Sequence, residues 1–195
     1  MPVMLKKNLR YQEAINRCML LFWEQGYFNT SIDDLVKVSG LNRATIYNQF
    51  GNKDAFFKAM LEQYETEVTS QLTAPLLQKP NGLKAIHAFF EQFIILSEEG
   101  RLKNGCFYIN AAADIPLYAP EIAEKVNAFI SYLTNLFRNA LTMAQSAGEI
   151  SQNLDIEDSC QFLVANIFGL LTIARATNDS KAIKAQVHII KKVFK

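Results

Sequence analysis

A group of residues between positions 30 and 53 is of the types that bind nucleic acid: Thr30, Ser31, Asn42, Arg43, Thr45, Tyr47, Asn48 and Lys53. Arg43 can take a guanine edge bidentately or hold a phosphate, and Thr45 can touch a thymine methyl or a phosphate. Lys53 offers a point charge to the backbone. Thr30 and Ser31 stand where the free amides of a helix start can donate to phosphate. Catalytic chemistry is absent from the pattern. The two histidines, His87 and His188, are far apart, and neither has a Cys or second His at zinc-ligand spacing. No G-x-S-x-G elbow and no Gly-rich phosphate loop occurs. Asp33-Asp34 and the group Asp155, Glu157 and Asp158 read as helix N-terminal charges favoured by the dipole. A binding protein is expected, not an enzyme, with no metal and no cofactor.

These residues need two short helices to present them. Thr30 or Ser31 can cap the first, with Asp33 or Asp34 as the other half of a capping box. Ile32, Leu35 and Val36 give that helix one buried face, and Ser39-Gly40 ends it. Leu41 plugs the turn and Asn42 caps a second helix, 43–50, which buries Ile46 and Phe50 and turns Arg43, Thr45, Tyr47 and Asn48 outward. This is the pattern of a helix-turn-helix, whose second helix lies in the DNA major groove. A longer helix precedes it, with Ala14, Ile15, Cys18, Met19, Phe22 and Trp23 on one stripe. A new helix starts after Gly51-Asn52-Lys53.

The ordered set resembles the DNA-binding domain of the tetracycline-repressor (TetR) family: an aromatic-rich helix end, Gly26-Tyr27, the capped helix, the Gly40 turn, Thr45-Ile46-Tyr47-x-x-Phe50, then Lys53. The resemblance runs motif by motif through roughly residues 1–60 and continues as a similarity of length and all-helical pattern. It implies that the Tyr47 hydroxyl meets the DNA backbone and that Lys53 binds phosphate. Asn48 stands where many members carry His, which departs from the family pattern for base reading. The resemblance also implies a body that binds a small effector and shifts the two heads away from the ~34–36 Å spacing of successive major grooves. Some members sense oxidants or electrophiles through a cysteine.

Composition agrees with a globular chain: half of its 195 residues are hydrophobic and 20% are charged. No apolar run of the length a membrane span needs is read in the sequence, and the start MPVMLKKNLRYQEA lacks the apolar stretch of a secretory signal. Three separated cysteines, Cys18, Cys106 and Cys160, fit a reducing cytoplasm with no disulfide framework. Net charge is only +1, yet residues 1–60 carry eight Lys and Arg against five Asp and Glu. The positive charge therefore gathers in the reading head, as phosphate contact requires. So modest a charge calls for two heads acting together.

Beyond Lys53 the expectation is a larger helical body. Residues 1–10 form a basic arm, a connector helix runs from Asp54 toward Pro75, and Pro80-Asn81-Gly82 mark a break. Helices follow at 83–97, 106–115 and 121–147, then two more from Asp155 and from Asp179 or Ser180. The first of the last two is apolar almost all round, so it needs cover on every face. Pairing of the last two helices (about 155–194) with their copies in a homodimer supplies it, with Gly169 allowing close approach. Polar groups set in apolar helices are candidates for an effector pocket: Gln92, Tyr108, Asn110, Asn166 and Arg175. Cys106 joins them, because a helix start and nearby Lys103 would lower its thiol pKa; its other reading is a small apolar residue opening a buried helix.

The fold expected is all-α with about nine helices. Residues 1–53 form a three-helix head for DNA, and 54–195 form an effector-binding and dimerisation body. The function expected is a cytoplasmic, ligand-responsive repressor acting as a homodimer on a palindromic operator, released by an apolar or aromatic small molecule. The alternatives are a redox- or electrophile-sensing repressor working through Cys106, and an effector-free DNA-binding adaptor of the same fold.

Overall fold

The computed structural model describes the backbone of residues 2–79 and 81–194, and the side chains from Arg10 onward within them. Pro80, expected at a helix boundary, lies outside the described residues. Among the described residues the chain is helical without a strand. The head comprises α1 (Pro2–Gln25), α2 (Ile32–Ser39) and α3 (Arg43–Phe50). The body follows as α4 (Lys53–Tyr64), α5 (Ser70–Leu77), α6 (Leu83–Glu98), α7 (Phe107–Ala112), α8 (Pro120–Ser146), α9 (Ile156–Thr177) and α10 (Ser180–Val193). The stretch expected to be a basic arm is instead the start of α1, which begins at Pro2, a residue whose missing N–H costs nothing in a first helical turn.

The connector departs most from expectation. It does not end at Pro75: α4 passes through a π-helical turn, Glu65–Thr69, directly into α5, which holds Pro75 inside its last turn. A π turn carries an extra residue per turn and is found mostly at functional sites. Pro75 has no N–H to donate, yet only Leu76 and Leu77 follow it in the helix.

The head is held by side chains at the expected stripe. Phe22 is fully buried and meets Phe56 and Phe57 edge-on, with ring centroids 5.9 and 5.1 Å apart. Leu35 and Ile46 come from α2 and α3 into the same core. Arg17 of α1 adds a tie the pattern did not announce, donating to Val38 O at 2.8 Å and Ser39 O at 3.0 Å. A cation there satisfies carbonyls that the end of α2 leaves open.

In the body, α6, α8 and α9 bury an aromatic and aliphatic core in which Phe89, Phe90, Phe93 and Phe137 are closed from solvent. Helix α9 corrects one sequence expectation: at 22 residues, with an 18-residue stretch of mean hydropathy 1.4, it is long and apolar enough to cross a membrane, by length and composition only. Within the protomer only 39% of its most apolar stretch is buried. Its inner face packs through Leu163, Ile167, Leu170 and Leu171, while Phe162 stays 37% exposed. Neighbouring α10 likewise buries Ile183, Val187 and Ile190 and leaves Ile189 58% exposed.

Candidate nucleic-acid interface and ligand cavity

The helix-turn-helix closes through local hydrogen bonds. Of the two possible caps for α2 it is Ser31 that serves: its Oγ accepts from the Asp34 amide at 3.1 Å, and the Asp34 carboxylate accepts from the Ser31 amide at 2.8 Å. Those donors hold the Asp34 carboxyl below the usual carboxylate range. Thr30 is turned inward, fully buried, with its hydroxyl donated to Gly26 O at 2.7 Å. It steadies the turn from beneath and cannot face a phosphate. Gly40 takes the left-handed conformation, φ 72°, that ends α2 and lets the chain turn toward α3. Asn42 then caps α3, its Oδ1 accepting from the Thr45 amide at 2.7 Å and the Thr45 hydroxyl at 2.9 Å.

Helix α3 buries Ile46 and leaves Arg43, Tyr47 and Asn48 exposed, with Thr45 half-buried. Arg43 pairs with Asp33 of α2, and both side chains are largely in solvent. Such a pair is weak, so the guanidinium is free to exchange its carboxylate for a phosphate or a base. Lys53, the first residue of α4, places its ammonium 4.0 Å from the centroid of the Tyr27 ring. Burial draws its pKa below the ordinary lysine value. Lys53 thus stands at the start of the helix that follows α3, three residues beyond Phe50.

Beside Lys53 lies an aromatic corner. Tyr118, in the segment between α7 and α8, stacks on Phe28 and on Phe57, with centroids 5.3 and 5.6 Å apart, and meets Tyr27 edge-on at 5.4 Å. Tyr27 in turn donates its hydroxyl to Asp54. Head and body therefore touch through rings as well as through the connector. Neither Phe28 nor Tyr118 carried a periodic signal, and only the fold brings them together.

A cavity of about 490 Å³ opens against the body, within the size range of small-molecule sites. Its walls are mainly apolar, with Leu72, Phe89, Leu133, Ile167 and Leu171 among them. The connector supplies much of one side, from Tyr64 through the π turn to Thr73. Of the residues proposed for an effector pocket, Gln92 and Cys106 line this cavity and the other four do not. Tyr108 is fully buried and donates to Glu65 Oε2 at 2.9 Å, an oxygen that also accepts from Lys125 Nζ at 2.8 Å. The three groups lock α7 and α8 to the π turn. Asn110 donates to Asn104 O at 2.8 Å and shapes the loop before α7. Asn166 turns to its own helix and to Gln186 of α10, and Arg175 is exposed near Glu24 O. Periodicity separates buried from exposed positions, but it cannot separate a wall from a core.

Cys106 is buried, and burial pushes its thiol pKa up. The amides of Tyr108 and Ile109 and the Tyr64 side chain pull the other way, so the helix start has the expected sign, but desolvation outweighs it. No group of three or more potential metal ligands occurs among the described residues.

A head that presents one helix of polar side chains and a cationic partner, carried on a helical body with a cavity, defines a DNA-binding regulator of the helix-turn-helix class. Residues 18–60 match the family described as bacterial regulatory proteins, tetR family, and residues 82–190 match the tetracyclin repressor-like C-terminal domain. The chain belongs to the TetR family of transcriptional regulators. It is similar to the HTH-type transcriptional repressor ComR of Escherichia coli K12, 28% identical over 163 residues that span 83% of this chain and 78% of that one. An HTH-type regulator of Bacillus subtilis, YezE, is 25% identical over 94% of this chain and 96% of its own. In fold it is similar to the TetR family regulator CifR bound to operator DNA, with TM-score 0.81 and 20% identity over 94% of this chain and 96% of that one. A TetR family regulator from Agrobacterium tumefaciens superposes with TM-score 0.84 and 17% identity, over 96% of this chain and 98% of its own.

Proposed function

We propose that this chain is a cytoplasmic, ligand-responsive repressor that binds a palindromic operator as a homodimer and leaves it when a small molecule fills the body. One observation carries the reading. The helix that begins at Lys53, beside the recognition helix, continues through the π turn into the wall of the 490 Å³ cavity. A ligand in that cavity acts on the element that holds the head. The division of labour is residues 1–53 for DNA and 54–195 for effector and partner. Ser31, Asn42, Arg43, Thr45, Tyr47, Asn48 and Lys53 make the DNA surface, with Gln92 and Cys106 at the effector.

The exposed apolar faces of α9 and α10 support dimerisation, since Phe162 and Ile189 need cover that the protomer lacks. Two-fold pairing on those helices sets the two recognition helices against successive major grooves. DNA binding by ComR is named for that relative as repression, and repression is the reading we carry to this chain. An effector-free adaptor would have no use for an apolar cavity beside its connector. A thiolate sensor would need an accessible thiol with a lowered pKa, whereas Cys106 is buried with a raised one.

The test is footprinting on DNA around the chain's own gene, followed by a screen of apolar small molecules for release. Protection of one palindrome by one dimer, lost on addition of a ligand that binds the cavity, is expected. Ligand-saturated protein that stays on its operator would overturn the ligand response.

A further inference from the structure

The cavity is not a property of the body alone. Two of its lining residues, Leu20 and Trp23, come from α1, the first helix of the DNA-binding head. Trp23 meets Tyr64 of α4 edge-on with ring centroids 4.9 Å apart, and Tyr64 interacts with Cys106 at the start of α7. The wall thus runs continuously from head to connector to body. Trp23 also has a buried indole N–H with no acceptor among the described residues. Leu20 is 47% exposed, unusual for a leucine that borders a cavity; an exposed apolar side chain at such an edge gains by covering a ligand.

The polar lining is grouped as well. Glu67 and Gln71 belong to the connector, while Arg101 and Lys103 belong to the loop between α6 and α7, and all four are exposed. Being exposed, they sit at the opening, and the deeper wall is mainly apolar, with the buried Thr69 and Thr73 set in it. Arg101 pairs with its near neighbour Glu99 at 3.2 Å, in solvent. With Glu67 and Glu99 beside Arg101 and Lys103, the mouth is polar and balanced in charge, and the apolar wall beneath it sets the class of ligand.

We infer that the cavity takes a mostly apolar small molecule, and that this molecule touches α1 of the head directly through Leu20 and Trp23. The inference rests on reading the body as a ligand-binding unit. It adds that the ligand wedges between α1 and the connector, so the head is displaced at its own first helix and not only through α4. An apolar surface filled by ligand on both sides of that junction changes the packing of one helix against the other. Packed interfaces respond to such a change by switching arrangement and not by yielding gradually.

Anilinonaphthalene sulfonate, a largely apolar dye, is a suitable probe, and Trp23, the only tryptophan, reports on its arrival. The full chain is titrated with the dye while Trp23 emission is followed, for the parent, Leu20→Asp and Leu72→Asp. Leu72 borders the same cavity from the connector. Binding of one dye per chain with quenching of Trp23 is expected. Both aspartates should weaken it about tenfold or more, which corresponds to roughly 1.4 kcal/mol. Thermal unfolding of Leu20→Asp should stay near the parent's because Leu20 is half-exposed; Leu20→Gln, with no added charge, should weaken binding in the same direction. Should the parent bind no dye, both the ligand-binding reading and this inference fall. If Leu72→Asp loses the dye while both Leu20 variants bind like the parent, the cavity stands and contact with α1 is refuted. Retention by every variant places the dye elsewhere and removes the inference.

Discussion

The Lys53 ammonium lies 4.0 Å from the centroid of the Tyr27 ring, which seats the cation expected at the DNA backbone on the aromatic corner joining head to body. Tyr27 is itself fixed, by its hydroxyl on Asp54 and by edge contacts to Phe57 and Tyr118 at 5.1 and 5.4 Å. A cation over a tyrosine face gains about 0.5–1 kcal/mol where exposed, and more when desolvated. The two residues should therefore contribute differently to DNA binding. Lys53→Ala is expected to lower affinity on all sequences and to reduce the salt slope by about one, as the loss of one phosphate contact does. Tyr27→Leu keeps the charge, so affinity should fall while the slope holds. A Tyr27 variant that binds with unchanged affinity would show that the seating is incidental.

On α3 the expectations divide by contact type. Tyr47→Phe removes one hydroxyl and should weaken binding evenly across sequences. Arg43→Ala should also narrow the gap between operator and unrelated DNA, by roughly tenfold if the guanidinium reads a guanine. Competition binding against random-sequence duplex measures both. Equal loss on operator and random DNA would assign Arg43 to the backbone.

The turn between α2 and α3 should be costly to alter. At Gly40, φ is 72° and a Cβ would meet no atom within 4 Å, so Gly40→Ala pays for backbone strain alone. The expected loss is about 1 kcal/mol or more. Asn42→Ala gives up the bonds to the Thr45 amide and hydroxyl, and the expected loss is about 1 kcal/mol. Urea unfolding of each variant checks both values, and an Asn42 variant as stable as the parent would deny the cap its role.

Thiol chemistry separates the two uses of Cys106. Burial pushes the Cys18 and Cys160 thiols up to about 11 and raises Cys106 as well. The thiolate is the nucleophile, so at neutral pH the native protein should take up iodoacetamide slowly at all three sites, with full labelling in denaturant. Intact mass against time measures this. Cys106→Ser should leave any response to oxidants and electrophiles unchanged. Labelling of native Cys106 at the rate of a free thiol would restore the sensor reading.

For the proposed dimer, Phe162→Glu places a charge on the exposed face of α9. Sedimentation should show the variant as a monomer at concentrations where the parent is paired, with DNA affinity reduced accordingly. A variant that sediments like the parent would move the interface off α9.

Much of the reading head was legible because its signals are local. Asn42, Gly40 and the pair Ser31 and Asp34 act within a few residues of themselves, and their chemistry can be read wherever it stands in a chain. Thr30 shows the limit: next to Ser31 and equal to it as a cap, it is separated only by which side chain the fold turns inward. The body was legible as helices but not as a cavity. Tyr108 looked like a polar group facing a ligand, yet it is spent on Glu65. Trp23 looked like core of the head, yet it borders the cavity. The π turn left no periodic trace, because five residues are too few to shift a pattern carried by the helices on either side. Contacts between distant segments, such as Phe28 with Tyr118, exist only once the chain has folded.

Whether α3 and Lys53 form a DNA surface used twice per dimer is decided by affinity for DNA around the chain's own gene across a salt series. Sequence-preferring binding of one dimer per palindrome, steeply weakened by salt, is expected, with a shallower slope for Lys53→Ala. Parent and a combined Arg43→Ala, Tyr47→Phe, Lys53→Ala variant binding the same DNA with the same affinity and slope would contradict it.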